Sequence, residues 1–177
     1  MYNLIKIILI VVLVLLILNC SCSCPAIKKE SFGTGSKLDY IRESGILRVG
    51  IIRLWGIFSY IDPDTNEYKG FNIDLMNELA KDMGVKVTFV PIGWDDNIIT
   101  GIKDGKFHVI PHIKREDVED VGFTSTYYKY GMKDPISLAM MIPRGTKDLQ
   151  EYLNKWINKK KESGFFKELF DKYKSLL

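Results

Sequence analysis

The side chains in this chain that could move a proton or take a metal are few and scattered. His108 and His112 are the two histidines. No Ser, Cys or carboxylate stands at a spacing that would orient either imidazole, so both read as hydrogen-bonded structural residues rather than bases. Asp95 and Asp96 read as an N-cap pair opening a helix, not as an acid and base couple, and Asp74 as a first-turn carboxylate favoured by the helix dipole. Met132, Met140 and Met141 read as core or hinge filler rather than a metal-binding stripe. Cys20, Cys22 and Cys24 are the three cysteines. Their alternation, with no histidine nearby, fits poorly with structural zinc and leaves the rest of the chain without a disulfide. The chain carries no P-loop, no paired His and Glu on a helix and no Gly-x-Gly-x-x-Gly. No catalytic set, metal or cofactor is expected; the chemistry that remains is recognition.

The elements that would position such chemistry begin after a leader. Met1 to Asn19 holds Lys6 and an apolar run from Ile7 to Leu18, short of the roughly 20 residues that span a hydrocarbon core. It reads as a signal peptide. Ile17-Leu18-Asn19-Cys20 looks like a relaxed bacterial lipobox, which makes Cys20 the expected site of lipidation. The other reading is an uncleaved, slightly short anchor. Residues 25 to 36 are rich in turn formers and read as a flexible tether, so 20–36 would hold the domain off a membrane. The expected location is the cell envelope, facing the periplasm or the exterior. The formal charge of +3 is too mild to argue for nucleic acid, and Lys159-Lys160-Lys161 reads as a solvated helix face.

Residues 37–177 have the size of one domain. Ser36 caps a short amphipathic turn that stops at Gly45, and Ile46 to Ile52 is a nearly continuous apolar strand, as expected when both faces are covered. Asp62-Pro63-Asp64-Thr65-Asn66 is a turn. Asn72 is placed to cap a helix through Leu75, Met76, Leu79, Ala80 and Met83, stopped by Gly84. A strand over 85–90 follows, then a helix through Ile98, Ile99 and Ile102 that stops at Gly105, then a strand over 107–110. Residues 111–122 read as loop. Phe123 to Tyr128 is a candidate strand and Ile136 to Ile142 a firmer one, past the turn signal Lys133-Asp134-Pro135. Thr146 caps a long helix, Gly164 breaks it, and a closing helix uses Phe166, Leu169, Phe170 and Tyr173. Alternating strands and helices imply right-handed crossovers and a mainly parallel sheet in an α/β three-layer sandwich.

Gly70-Phe71-Asn72-Ile73-Asp74-Leu75, Leu38-Asp39-Tyr40-Ile41, Gly45 to Gly50 and Asp104-Gly105-Lys106-Phe107 fall in an order and spacing that resembles bacterial solute-binding proteins of family 3. Ser59-Tyr60 after Phe58, Trp94, and Tyr128-x-x-Gly131-x-Lys133-x-Pro135-Ile136 resemble its cyclohexadienyl and arogenate dehydratase branch. The resemblance implies one lobe of a periplasmic-binding-protein-like type II fold. Residues 37–136 and a returning segment, 138–177, would build lobe one, with lobe two apparently deleted between them.

That likeness implies a truncated, amino-acid-binding-like lipoprotein of an ABC-type uptake system, with a permease and a small amino-acid-like solute as partners and no nucleic acid. Trp55, Phe58 and Trp94 stand where the family has aromatic ligand walls. Where its carboxylate-clamping Arg should stand, this chain has Asp117, which would repel a carboxylate; Arg115 is the candidate substitute. One lobe offers an open shelf in place of a cleft, so the expected affinity is no better than about millimolar, if binding survives. A membrane-tethered interaction module is the alternative. A dehydratase-like enzyme is disfavoured, because the family's general acid comes from lobe two.

Overall fold

The computed structural model describes residues 36–93, 97–114, 118–131 and 133–176, with the side chains of His112 and Ile113 left aside. The leader and tether with Cys20 lie outside these residues, as do Trp94, Asp95, Asp96, Arg115, Glu116, Asp117 and Met132.

Ser36 opens the fold with a double role: its hydroxyl accepts the Asp39 N–H at 3.0 Å and donates to Asp148 Oδ2 at 2.7 Å. Helix α1 (Lys37–Ser44) stops at Gly45 in the left-handed region, φ 67°, which a residue without Cβ adopts most readily. Strand β1 (Ile46–Ile52) turns Leu47, Val49 and Ile51 to one face of the sheet and Ile52 to the other, and both faces are covered. A 3₁₀ turn (Gly56–Phe58) leads to the two-residue strands β2 (Tyr60–Ile61) and β3 (Tyr68–Lys69), paired antiparallel. Asp62 closes the turn between them by accepting the Asp64 and Thr65 N–H groups. Then come α2 (Phe71–Met83), β4 (Lys86–Ile92), α3 (Ile98–Lys103) and β5 (Ile110–Ile113). Strands β6 (Val121–Phe123), β7 (Tyr128–Tyr130) and β8 (Ile136–Pro143) precede helices α4 (Lys147–Glu162) and α5 (Phe165–Tyr173).

The strands lie in the order β4, β1, β5, β8, with β6 and β7 end to end along the far edge of β8. Strands β4 and β1 run parallel over their whole length, and Val49 bridges Val109 in parallel. The pairings of β8 with β5, β6 and β7 are antiparallel, because β8 comes back from a hairpin rather than from a helical crossover. Three layers result. Helices α1, α2, α4 and α5 bury Ile41, Leu79, Leu153 and Phe166 against Leu47, Val49, Leu138 and Met140. On the other face α3 covers Ile92, Ile110 and Met141 with Ile102. The α/β sandwich expected from the alternation of elements is thus present.

Several local expectations need correction. Asn72 does not cap α2: Gly70 holds the cap position and Asn72, 2% exposed, lies inside the first turn. Helix α3 opens one residue after the aspartate pair, with Asn97 accepting the Thr100 N–H at 3.0 Å. Thr146 stands at the cap of α4, yet its hydroxyl donates to Pro143 O. The strand expected over 107–110 lies instead at Ile110–Ile113, so residues 111–113 form strand where loop was expected, since β8 supplies the pairing partner. In place of one strand over 123–128 there are two short ones. Between them, Thr124 and Tyr127 each keep one backbone-to-backbone bond, to Met140 and Leu138, while Ser125 N–H turns to Asn154 Oδ1.

Candidate functional site

The topology itself marks a site. From β1 the chain crosses through α2 to β4 on one side; from β4 it crosses back through α3 to β5 on the other side of β1, and these two helices lie on opposite faces of the sheet. Crossovers diverging in this way leave a crevice outside the carboxyl ends of the parallel strands, where open α/β sheets receive ligands. Proline deepens the opening. Gly50 N–H donates to Val109 O at 3.0 Å, and the next rung toward the carboxyl edge would need an N–H from residue 111. Pro111 has none, so the β1–β5 ladder contracts to the single Val49–Val109 bridge.

The loop after β1 forms one wall of this edge. Arg53 and Leu54 make a turn in which Leu54 takes a positive φ of 55° and remains 70% exposed. Trp55 N–H donates to Ser59 O at 2.9 Å, Phe58 N–H to Trp55 O at 3.1 Å, and Ser59 Oγ to Ile52 O. The wall is therefore tied back onto the strand that carries it. Gly70 lets it sit close: a Cβ there would lie 2.7 Å from Phe58 O, and its φ of 128° is foreign to L side chains. This contact explains the glycine that leads the Gly70–Leu75 motif.

Of the expected ligand walls, Trp55 is half-buried at this edge, with its ring 5.1 Å from Phe58. Phe58 is 6% exposed and packs edge-on against Phe71 and Tyr130, at 5.8 and 5.4 Å. Its role in the described structure is to support Trp55 from behind. Trp94 and Arg115, from the loops after β4 and β5, lie outside the described residues. Arg53 carries no motif; its only signal is its position one residue past β1, and it is exposed there.

The other candidates are engaged elsewhere. His108 is fully buried, accepts the Arg48 N–H on Nδ1 at 3.2 Å, and meets the Tyr40 ring edge-on at 5.8 Å. Asp74 accepts from Tyr173 Oη and Lys172 Nζ, each at 2.6 Å, and burial together with this carboxylate pushes the Tyr173 hydroxyl well above its ordinary range. Burial likewise raises Tyr127. A shallow depression of about 340 Å³ lined by Asp82, Tyr152, Lys155, Trp156 and Lys159 lies on the outer helical face, away from the strand edge. Among the described residues no group of three or more His, Cys, Asp or Glu side chains converges as a metal's ligand set would.

One further feature bounds the site. Strands β7 and β8 pair antiparallel from Tyr130↔Ile136 onward, so the chain reverses between Tyr130 and Ile136 at the same edge of the sheet. Gly131, at φ 107°, begins the reversal.

Residues 47–175 match the sequence profile of the family described as Bacterial extracellular solute-binding proteins, family 3. The L-cystine-binding protein TcyA of Bacillus subtilis is 28% identical over 120 residues, 68% of this chain and 42% of that protein. Cyclohexadienyl dehydratase of Pseudomonas aeruginosa is 34% identical over 107 residues, 59% of this chain and 39% of the enzyme. The chain thus spans less than half the length of these two relatives. Among solved structures, the arginine-bound form of domain 1 from TmArgBP superposes with a TM-score of 0.63 at 25% identity, over 68% of this chain and 98% of that domain.

Proposed function

Because this chain belongs to the bacterial extracellular solute-binding proteins of family 3, we propose that it is a single-lobe receptor for a small amino-acid-like solute, held at the carboxyl edge of β1, β4 and β5. The observation that carries the reading is the β7–β8 hairpin at that edge: a chain that reverses here completes the sheet of one lobe without leaving for a second. Residues 37–136 and 138–177 are then the two parts of lobe one. The solute class is supported by what relatives hold. TcyA is named for L-cystine, and domain 1 of TmArgBP is described with arginine bound, a precedent for a ligand on one such lobe.

An open shelf makes roughly half the contacts of a closed cleft while the solute still loses its full translational freedom, so the expected affinity is no better than about millimolar. The proposed setting is an exported protein lipidated at Cys20 and tethered through 20–36, delivering solute to an ABC-type permease. We place the activity as binding rather than turnover. An elimination of the dehydratase kind needs a general acid held above the leaving hydroxyl; Arg53, Trp55 and Lys114 at this edge carry no carboxyl, and Asp134, the carboxylate in the hairpin turn, is exposed to solvent.

Ligand-observed NMR titration of the full chain with the common amino acids and with prephenate tests the reading. Saturable binding of at least one amino acid, with prephenate unchanged after prolonged incubation, is the expected result. Conversion of prephenate would make the protein an enzyme, and silence from every amino acid would remove the receptor reading.

A further inference from the structure

We infer that Arg53 is the residue that takes the solute's carboxylate, in a recognition moved from the loop after β5 to the loop after β1. This inference rests on the receptor reading above and adds to it the binding group and the chemical class of the ligand. Four of the chain's arginines are described, and three are engaged. Arg42 lies over the Tyr152 ring at 5.1 Å, Arg48 Nη2 donates to Gly105 O at 2.8 Å, and Arg144 Nη1 donates to Glu119 O at 2.6 Å. Arg53 is exposed and alone among these four has no hydrogen bond, ion pair or ring contact. It stands one residue past the end of β1, beside the crevice that the diverging crossovers and Pro111 open.

Its support is built rather than loose. Leu54, the next residue, is held at a positive φ of 55°, a conformation unfavourable to a leucine that persists only where the surroundings impose it. The preceding residue, Ile52, has its carbonyl fixed by Ser59 Oγ, and Trp55 is fixed by its N–H to Ser59 O. The side chain therefore springs from a turn clamped on both sides, two residues before the half-buried Trp55. A planar fork of N–H donors matches a carboxylate in two parallel bonds, and the neighbouring indole offers a flat apolar face to the body of the solute. A small carboxylic acid with an apolar or alkyl body, such as an α-amino acid, is the ligand this pair suits.

The test compares amino acids with the amines that lack only the carboxylate: L-arginine with agmatine, L-lysine with cadaverine, L-cysteine with cysteamine, L-phenylalanine with phenethylamine. Dissociation constants come from ligand-observed NMR on the full-length chain in detergent. The wild-type protein is expected to bind its preferred amino acid at least tenfold more tightly than the matching amine. Arg53→Gln should raise the dissociation constant of that amino acid at least tenfold and leave that of the amine unchanged. Arg53→Lys, which keeps the charge and loses the fork, should fall between. Because Arg53 has no partner among the described residues, all three proteins should share one melting midpoint, and a drop in the variants would itself count against the assignment. Wild-type binding that Arg53→Gln leaves untouched, or amines bound as tightly as the acids, overturns the inference while the receptor reading stands. Absence of binding by the wild type to every probe removes the receptor reading and the inference together.

Discussion

Replacing Gly70 by alanine tests whether the site's wall is held by a close backbone approach. The added Cβ would meet Phe58 O at 2.7 Å, Phe58 C at 2.8 Å and Ile57 O at 2.9 Å. All three are backbone atoms, so no side-chain rotation relieves the clash. Ordinary contact begins near 3.4 Å, and the carbonyl must retreat by roughly 0.7 Å, against the bonds that tie Trp55 and Phe58 into their turn. Overpacking of this kind costs about 1–3 kcal/mol, and a non-glycine residue at φ 128° adds about 1–3 kcal/mol. A total near 4 kcal/mol lowers the melting midpoint of a domain of this size by about 10 °C. Gly84→Ala is the control, since its φ of 72° is also unfavourable to alanine but no atom lies within 4 Å of the new Cβ. It should cost only about 1–2 kcal/mol, and the unfolded-state entropy change is common to both variants. Thermal melts by far-UV circular dichroism decide the matter: a Gly70→Ala midpoint no lower than that of Gly84→Ala would refute the close-approach argument.

Two further perturbations follow from the charge pairs. Asp148 accepts from Ser36 Oγ at 2.7 Å and Leu38 N–H at 2.6 Å; burial raises its carboxyl, but these bonds outweigh burial and leave it below the usual range. Asp148→Ala should therefore cost about 1–3 kcal/mol in urea unfolding and speed hydrogen exchange in α1 selectively, whereas uniform exchange would show that α1 is not docked through this residue. Asp62 and Asp171 are held at about 2, Asp62 chiefly by Lys69 and Asp171 chiefly by Lys167. Depressed carboxylates stabilise the fold above their unfolded value, near 3.9, and lose that contribution as pH falls through the folded one. The melting midpoint should thus drop between about pH 4 and pH 2, modestly because both groups are only partly buried and solvent screens their pairs; a midpoint flat over that interval would contradict it.

Much of this fold was legible because local signals agreed with tertiary need. The apolar run 46–52, the helical spacing of Leu75, Met76, Leu79 and Met83, and the stops at Gly45 and Gly84 mark β1, α2 and the C-terminal ends of α1 and α2 where the structure has them. The failures occur where partners distant in sequence decide. Asn72 has the composition of a cap, but burial under Tyr127, whose hydroxyl lies 3.5 Å away, places it inside the helix. Residues 111–113 have a proline and no period, yet β8 pairs with them. Ser36 was readable as a cap; its second bond, to Asp148 at the far end of the chain, was not. At the site, aromatic positions could be named by resemblance. Arg53 could not, since an arginine is ordinary in a loop and becomes informative only when its neighbours prove engaged or clamped.

The hairpin also bears on how such a receptor would work. In a two-lobed protein the strands around 128–136 are hinges that must bend, so part of the binding free energy goes into closure. Here Tyr130 is packed edge-on to Phe58 at 5.4 Å and lies 5.8 Å from Phe170, while Tyr128 stacks on Phe170 at 4.9 Å. These rings couple the hairpin, the wall behind Trp55 and helix α5 into one aromatic cluster. Strand β8 is bonded on one edge to β5 and on the other to β6 and β7, which leaves it no freedom to act as a pivot. A solute meeting this edge finds a surface already formed: little closure has to be driven, and little extra contact is gained afterwards. Affinity should then follow the groups at the edge alone, and small-angle scattering should give one radius of gyration with and without saturating ligand, in contrast to the compaction of a clamshell. A ligand-induced decrease would mean that the hairpin bends, and the rigid-shelf account would fall with it.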